Sequence, residues 1–297
     1  QAHMNDDNHI SDPKSPDDVP ISDLSYLYDE PDSRAYYQSL GALDYRTPEH
    51  VQQLARWCFG HFCGGEPWIL DVGCGFGVNG AGLLYGVAVQ DLLTRYDSDH
   101  MRQMSPESVI ELDMQYFSEH PRQPCHMAGL DVSRSSLDYG LRTGLLDVAF
   151  DDNLMQAPVP DDLIRIVASG ALIIESGVPI FIAPHVIDAL LAAAGSDSRP
   201  WVITAPPRYT NVSVYSDVFE KHGYVMEQVS PDPLPHRQFH SPEEADRIID
   251  QQIAMGIDST AEKQTGYIYT TLFLARPAGE ANKPVDFSPV VRALVHP

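Results

Sequence analysis

The segment WILDVGCGFGVNG, Trp68 to Gly80, constrains the fold more than any other part of the chain. It opens with an apolar run of the kind that forms a buried strand, and this run delivers Asp71 to the end of the strand. Gly73, Gly75 and Gly77 follow, and glycines let the backbone turn tightly and approach a ligand without obstruction by a Cβ atom. The helix predicted next would direct unpaired N–H groups at an anionic ligand group. The segment therefore predicts a strand, a ligand-binding turn and a helix.

A dinucleotide-binding turn is a second interpretation of the same residues, because Gly75 to Gly80 fits the pattern G-x-G-x-x-G. That pattern usually follows the apolar residues of a strand directly, whereas here Asp71 and an earlier glycine come between. A carboxylate in this place would also repel a pyrophosphate, but it would suit an ammonium or sulfonium group. We therefore favour a ligand with a cationic group over a nicotinamide dinucleotide.

Apolar runs alternate with helical patterns along the rest of the chain. After the first strand, further strands are predicted in CHMAGLDVS, LDVAFDDNL, ALIIESG, RPWVITAPP and YVMEQVS, and a β-rich run, YIYTTLFLARP, closes the series. The segment between YVMEQVS and the next helix is rich in Pro and His and is predicted to be a loop. Strands that alternate with helices imply βαβ units. The predicted fold is α/β, with a doubly wound, mostly parallel, seven-stranded sheet.

Four regions are predicted around and within this fold. Residues 1–23 are expected to be a tag remnant and a disordered tail, because they begin QAHM and continue rich in Asp, Pro and Ser. Residues 24–66 form an N-terminal helical lid, whose second half is a helix from Thr47 to about Phe62 with Pro48 at its first position. Residues 67–277 form the ligand-binding domain, with helical insertions near 95–121 and 230–265. Residues 278–297 are expected to be a C-terminal tail.

The charge of the chain restricts its partners. Lys and Arg number 19 against 42 Asp and Glu, which gives a formal net charge of −23. Because so acidic a surface repels phosphate backbones and anionic lipid, we expect neither nucleic acid nor a membrane as a partner. A small neutral or cationic substrate is compatible with it. With no secretory segment, the protein is expected to be cytoplasmic, and its oligomeric state, a homodimer included, is left open.

Cysteine and histidine spacing predicts no metal site. The cysteines show no paired C-x-x-C spacing and have no matching His/Cys pair elsewhere, so reduced thiols are expected at Cys58, Cys63, Cys74 and Cys125. The histidines also lack the close spacing of metal ligands. His236 and His240 are therefore expected to be structural or on the surface, and Arg208 to be solvated or paired.

The octapeptide LDVGCGFG, Leu70 to Gly77, resembles the first motif of the class I, Rossmann-like S-adenosylmethionine-dependent methyltransferases. By element order the resemblance extends over about Pro67 to Pro277. It implies S-adenosylmethionine as the cofactor, bound at Asp71, Gly73, Gly75 and Gly77. It also implies that Asp131, in GLDVS, binds the ribose hydroxyls, and that Asp152 and Asn153, in FDDN, lie around the adenine. Asp131 comes 54 positions after Gly77, far more than the roughly 20 of a simple unit, and the insertion near 95–121 would account for this.

Membership of this superfamily implies transfer of the cofactor's methyl group to a small-molecule metabolite by direct displacement, in which the enzyme aligns the reactants and excludes water. The sequence identifies no general base. Candidate residues on the substrate side are Tyr36, Tyr37, Tyr45, Glu175, His185 and Tyr209. Two alternatives remain open. The protein could use S-adenosylmethionine without transferring methyl, by a cyclisation that releases methylthioadenosine, or it could be a non-catalytic cofactor-binding protein.

Overall fold

The computed structural model describes residues 24–61, 66–196 and 199–295, so the predicted tail at 1–23 lies outside the described residues. The strands are β1 Trp68–Val72, β2 His126–Leu130, β3 Val148–Phe150, β4 Leu172–Glu175, β5 Val202–Thr204, β6 Tyr224–Gln228, β7 Leu234–Gln238, β8 Tyr267–Thr270 and β9 Phe273–Pro277. A 3-10 helix, Ser25–Asp29, precedes the α-helices. These are α1 Arg34–Ala42, α2 Thr47–Phe59, α3 Val78–Tyr85, α4 Val89–Tyr96, α5 Asp99–Gln103, α6 Pro106–Ser118, α7 Arg134–Arg142, α8 Asp161–Ala168, α9 Ala183–Ala194, α10 Ser213–Lys221, α11 Pro242–Ala254, α12 Thr260–Thr265, α13 Ala278–Ala281 and α14 Ser288–Val295.

The main sheet has the order β3-β2-β1-β4-β5-β9-β6 in the described part of the chain. The first five strands in this order are mutually parallel, and β9 is antiparallel to both of its neighbours. The predicted fold class, a doubly wound and mostly parallel seven-stranded sheet, is confirmed. Strand order reverses at β1, which lies between β2 and β4. In sheets of this kind ligands bind outside the carboxyl ends of the strands at such a reversal, which is where Asp71 lies.

Both faces of the sheet are covered, as the nearly continuous apolar strands require. Successive side chains of a strand point to opposite faces. Accordingly, Ile69 and Ile174 belong to one buried cluster with residues of α2 and α3. Leu70 and Ile173 belong to a second cluster, which includes residues of α8, α9 and α10. The sheet is therefore held rigidly between two helical layers, which fixes the positions of the strand ends.

The lid and the insertion near 95–121 pack together as one unit. Asp113 of α6 is fully buried and accepts hydrogen bonds from the Tyr96 hydroxyl at 2.7 Å and the Tyr139 hydroxyl at 2.8 Å. Ser33, at the start of α1, donates to Tyr139 at 3.1 Å. Arg95 completes the network with an ion pair to Asp113 at 2.9 Å. Because removal of one member would leave buried polar groups unsatisfied, this network joins the lid to α4, α6 and α7.

Three elements differ from the sequence predictions. The helix expected after the glycine turn is divided at Gly86, whose φ of 68° ends α3. The predicted Pro- and His-rich loop contains β7, which pairs antiparallel with β8, so the β-rich run at 267–277 is split between two sheets. The predicted C-terminal tail includes α14, whose Val290 and Leu294 pack into the main core near α2. The last two differences depend on contacts that are distant in sequence, which local patterns do not report, whereas the glycine that ends α3 is itself a local signal.

No helix in the described residues is both long and apolar enough to span a bilayer.

Candidate functional site

The turn after β1 has the backbone that its glycines predict. Gly73, Gly75 and Gly77 have φ values of 67°, 48° and 78°, in the left-handed region that side chains other than glycine rarely adopt. The turn is held to the end of β2 by hydrogen bonds, including one from Cys74 N to the Leu130 carbonyl at 3.4 Å. Gly73 N donates to the Leu130 carbonyl at 2.8 Å, and Gly75 N donates to the Asp131 carboxylate at 2.9 Å. The glycine turn, residues 73–77, is therefore held at the point where strand order reverses.

Asp131 lies next to the turn, although the two are far apart in sequence. One carboxylate oxygen accepts from Gly75 N and the other from Ser133 N, both at 2.9 Å. Burial raises the pKa of the Asp131 carboxyl, and these backbone donors oppose the rise. Each carboxylate oxygen can accept a second hydrogen bond, so Asp131 retains acceptor capacity for a ligand hydroxyl.

Asp71 is the most deeply buried acid of this edge. Its side chain is fully buried, and both oxygens accept from Asn79 Nδ2 at 3.1 Å. Burial raises the pKa of the Asp71 carboxyl to about 8; Asn79 opposes this rise, and the nearby carboxylates of Asp131 and Glu175 add to it. No ion pair to Asp71 is formed within the described parts of the chain. The positive charge of a cationic ligand group would stabilise the ionised form of Asp71.

Glu175, at the end of β4, is an anchor for neighbouring loops. It is 1% exposed and accepts from Gly177 N at 3.1 Å, Val178 N at 3.2 Å and Ala205 N at 3.1 Å. The hydroxyls of Thr204 and Tyr215 also donate to it. A carboxylate has about four acceptor positions, and five donors already surround this one. These contacts hold the ends of β4 and β5 together, and the substrate-side role of Glu175 remains a prediction.

Tyr45 and His236 meet beside the end of β4. The Tyr45 hydroxyl donates to the Ser176 carbonyl, and Asn79 Nδ2 donates to Ser176 Oγ at 3.0 Å. The Tyr45 ring packs edge-on against the His236 imidazole, with centroids 5.3 Å apart. Gly177 has a φ of 128°, and a Cβ atom there would lie 2.7 Å from the Tyr45 hydroxyl and 4.0 Å from His236 Cε1. The absence of a side chain at Gly177 thus permits the lid to reach this edge.

Side chains of the protein itself lie directly on the glycine turn. A Cβ atom on Gly75 would be 2.6 Å from Tyr28 Cε1, and one on Gly73 would be 2.4 Å from Val178 Cγ2. The Tyr28 ring stacks on Phe76 with centroids 6.2 Å apart, and its carbonyl accepts from Ser133 Oγ at 2.6 Å. Burial raises the pKa of the Tyr28 hydroxyl, and Asp131 adds to this rise. A cavity of about 440 Å³ lies elsewhere, lined by residues of α2 and β8.

Of the remaining candidates, Tyr36 lies near the glycine turn and the others lie in different parts of the fold. Tyr36 lies beside Tyr28, with ring centroids 5.6 Å apart, and its hydroxyl takes part in no hydrogen bond among the described residues. Tyr37 instead stacks on Tyr96 in the core beneath the lid, with centroids 4.8 Å apart. Tyr209 packs against Ile248 and Ile268 in a separate small cluster. His185 is exposed in the first turn of α9, Asp152 is half-buried after β3, and Asn153 Oδ1 caps the same loop by accepting from Met155 N at 3.1 Å.

The structure therefore brings together Asp71, the glycine turn, Asp131, Tyr36 and Tyr45, together with the anchor Glu175. It adds Asn79, which the sequence did not single out, and it places Tyr28, Ser176 and His236 at the same edge. Asn79 had a local signal, since it is the second residue of the helix that follows the glycine turn. His236 had none, because its strand pairs with β8 about 30 residues further along the chain. Cys58, Cys74 and Cys125 are free and buried, and Cys63 lies outside the described residues.

No protein-family model matches the chain, and no curated protein matches it. Among solved structures, it is similar to a functionally unknown protein from Deinococcus radiodurans R1, at 17% identity, covering 76% of this chain and 87% of that chain, with a TM-score of 0.40. It is also similar to an S-adenosylmethionine-dependent methyltransferase from Geobacter sulfurreducens in complex with S-adenosyl-L-homocysteine, at 13% identity, covering 82% of this chain and 97% of that chain, with a TM-score of 0.37. A third similar structure is a TehB-like S-adenosylmethionine-dependent methyltransferase from Corynebacterium glutamicum, at 15% identity, covering 75% of this chain and 86% of that chain, with a TM-score of 0.35. Similarity at this level assigns no activity. The Rossmann-like arrangement is evident from the sheet itself.

The raised pKa of Asp71 predicts a pH-dependent stability. Between about pH 4 and pH 8 the folded protein keeps a proton on Asp71 that the unfolded chain has released, so this group's contribution to stability falls as pH rises. Asp71→Asn removes that dependence. The free energy of unfolding of the variant should therefore rise relative to the wild type between pH 5 and pH 8, by a few kcal/mol. Urea denaturation at several pH values measures this difference, and a difference independent of pH would contradict the assignment.

Proposed function

We propose that this protein binds S-adenosylmethionine at the glycine turn and transfers its methyl group to a small molecule. The observation that carries the proposal is the pair of carboxylates, Asp71 and Asp131, held against a glycine turn at the strand-order reversal. S-adenosylmethionine presents an ammonium, a sulfonium and two ribose hydroxyls. These are groups that carboxylates at such a turn recognise, whereas a pyrophosphate would be repelled.

The residues at this edge fit the cofactor in their chemistry. Asp71 is a buried acid without a cationic partner in the described residues, and an ammonium would provide one. Asp131 has spare acceptor capacity for ribose hydroxyls. The unpaired N–H groups at the start of α3 suit the methionine carboxylate. The hydroxyl of Tyr36, in a residue that is almost fully buried, is available for a further hydrogen bond. The proposed roles of Asp152 and Asn153 near the adenine remain predictions.

Binding requires the side chains on the turn to move. Tyr28 and Val178 lie against Gly75 and Gly73, where the cofactor would approach the backbone. Both belong to short connecting segments, a 3-10 helix and the loop after β4, which reorganise more easily than the strands. When these segments close again over the cofactor, the tyrosine rings of the lid would exclude water from the displacement.

The bound cofactor supplies the methyl electrophile, and the protein supplies orientation and a dry environment. The groups around the site favour a neutral or cationic acceptor, because Asp131 and Glu175 are carboxylates and the cofactor's ammonium would hold Asp71 in its ionised form as well. Two like charges 4 Å apart repel by about 1 to 4 kcal/mol in water or near a protein surface. We extend the proposal to partners and location: a small-molecule substrate, no nucleic acid or membrane partner, and a cytoplasmic protein.

Product analysis separates this function from its alternatives. Formation of adenosylhomocysteine marks methyl transfer, methylthioadenosine marks cyclisation, and neither product marks a binding protein. Incubation of the full chain with S-adenosylmethionine and a library of small amines and alcohols, followed by mass spectrometry, distinguishes the three.

Cofactor binding should depend on Asp131. Asp131→Asn is expected to weaken adenosylhomocysteine binding about tenfold, since hydrogen bonds to a charged group contribute about 1.5–3 kcal/mol. Asp147→Asn is the matched control, because Asp147 also accepts from a backbone N–H of this sheet, that of Met127 at 2.8 Å, but at the opposite end of β2. Calorimetry with adenosylhomocysteine and NADH measures both variants. Binding of NADH alone would contradict the proposal.

Tyr28 should slow the entry of the cofactor. Because its ring lies on Gly75, Tyr28→Ala is expected to increase the association rate of adenosylhomocysteine severalfold. Tyr26→Ala is the matched control, since Tyr26 belongs to the same 3-10 helix but is 58% exposed. Stopped-flow fluorescence reports the rates. Equal association rates in the wild type and in both variants would show that Tyr28 is not a barrier to the cofactor.

A further inference from the structure

We propose that His236 forms the acceptor side of the site, where its imidazole Nε2 hydrogen-bonds an N–H or O–H group of the molecule to be methylated. This inference rests on the proposed function and adds the acceptor group and its chemical class. From the sequence, His236 is expected to be structural or on the surface, because nothing in the local pattern shows that its segment reaches the glycine-turn edge.

The position of His236 is fixed by the lid on one side and β8 on the other. Its carbonyl accepts from Arg46 N at 2.7 Å, and Gln238 N donates to the Leu43 carbonyl at 2.7 Å, so β7 is bound to the lid through the backbone. The ring contacts Tyr45 edge-on and approaches Gly177. Through Ser176 and Asn79 this corner is connected to Asp71 by hydrogen bonds. His236 therefore lies beside the proposed cofactor site, on the side of β4.

The orientation of the ring leaves one nitrogen for a ligand. His236 Nδ1 is 2.7 Å from Thr47 Oγ1, which fixes the plane of the imidazole. Among the described residues, no hydrogen bond involves Nε2. His50, a second buried histidine nearby, differs in this respect, because its Nε2 is 2.9 Å from the Pro235 carbonyl and is therefore already paired. The two histidines thus share an environment, but only His236 has its outer nitrogen unengaged.

The low pKa of His236 makes the imidazole a weak base, so it is better suited to orienting the acceptor than to accepting the acceptor's proton. Burial lowers the pKa of His236 to about 3, Arg237 and His50 add to this effect, and Glu244 opposes it. The imidazole is therefore neutral at physiological pH. In the transfer, the lone pair of the neutral acceptor would form the new bond to the methyl carbon, and the carbon–sulfur bond would break with its electron pair going to sulfur. A cationic amine would first lose one proton to water, which frees its lone pair, and the methylated product would then release the remaining acceptor proton to water. His236 holds the N–H or O–H so that this lone pair faces the methyl group.

The same surroundings define the class of acceptor. A neutral imidazole does not repel a cationic amine. Tyr28, Tyr36 and Tyr45 present aromatic rings to the same edge, and such rings also favour cations and apolar bodies. A carboxylate or phosphate on the acceptor would meet no unpaired cation in the groups named here. The inferred acceptor is an amine or alcohol with an apolar body.

Two substitutions at His236 separate this role from a structural one. His236→Asn retains a group at the position of Nδ1, and with it the hydrogen bond to Thr47, but removes Nε2. His236→Gln retains a group at the position of Nε2 and loses the contact with Thr47. His50→Gln is the control, because its amide can still donate to Pro235. Benzylamine, benzyl alcohol and benzoate serve as probes of equal shape and different charge, each titrated into the full chain saturated with adenosylhomocysteine.

Nitrogen-15 spectra of histidine-labelled protein report the state of His236, and calorimetry reports the affinities. We expect benzylamine or benzyl alcohol, but not benzoate, to shift the Nε2 resonance. His236→Asn should weaken that probe at least tenfold with adenosylhomocysteine affinity unchanged, whereas His236→Gln and His50→Gln should bind it within about threefold of the wild type. An unmoved His236 resonance, or a His236→Asn variant that binds the probe normally, would overturn the inference and leave the proposed function intact. Failure of the wild type to bind adenosylhomocysteine would overturn both.

Discussion

The organisation of this protein depends on a carboxylate, Asp71, that is buried at the end of the central strand without a cation to balance it. Desolvation makes ionisation of this acid costly, and the described part of the chain offers it only the amide of Asn79. An ionised carboxylate in such a place is tolerated when a cationic ligand group binds beside it. The glycine turn, the reversal of strand order and the lid all surround this single group, which is why we regard it as the centre of the site.

The elements around Asp71 are held by interactions that cross between layers. Asp113 ties the lid to the helical insertion, Glu175 ties β4 to β5, and Asp131 ties the glycine turn to β2. Each is a carboxylate that accepts hydrogen bonds from protein donors on both of its oxygens, and such networks rigidify the groups that they join. Tyr28 and Val178 are different, because they contact the turn through packing alone. The site therefore combines a glycine turn that is held in place by hydrogen bonds with two side chains above it, Tyr28 and Val178, that can move.

Much of the fold could be predicted from the sequence because its signals are local. The strand ending at Asp71, the turn glycines and the alternation of strands and helices are visible within short windows, and the seven-stranded sheet follows from them. Strand β7 and helix α14 were missed, since β7 needs β8 as its partner and α14 needs α2. The site divides in the same way. Asp71 and the glycines were identifiable, but the saturation of Glu175 and the approach of Tyr28 and His236 arise only from tertiary packing.

A crystal structure of the full chain with adenosylhomocysteine tests the central claim most directly. We expect the ligand on the glycine turn, with its ammonium within hydrogen-bond distance of Asp71 and its ribose at Asp131, and with Tyr28 and Val178 displaced from Gly75 and Gly73. Ligand bound elsewhere on the chain, or a Tyr28 ring still against Gly75 with ligand present at saturation, would contradict it.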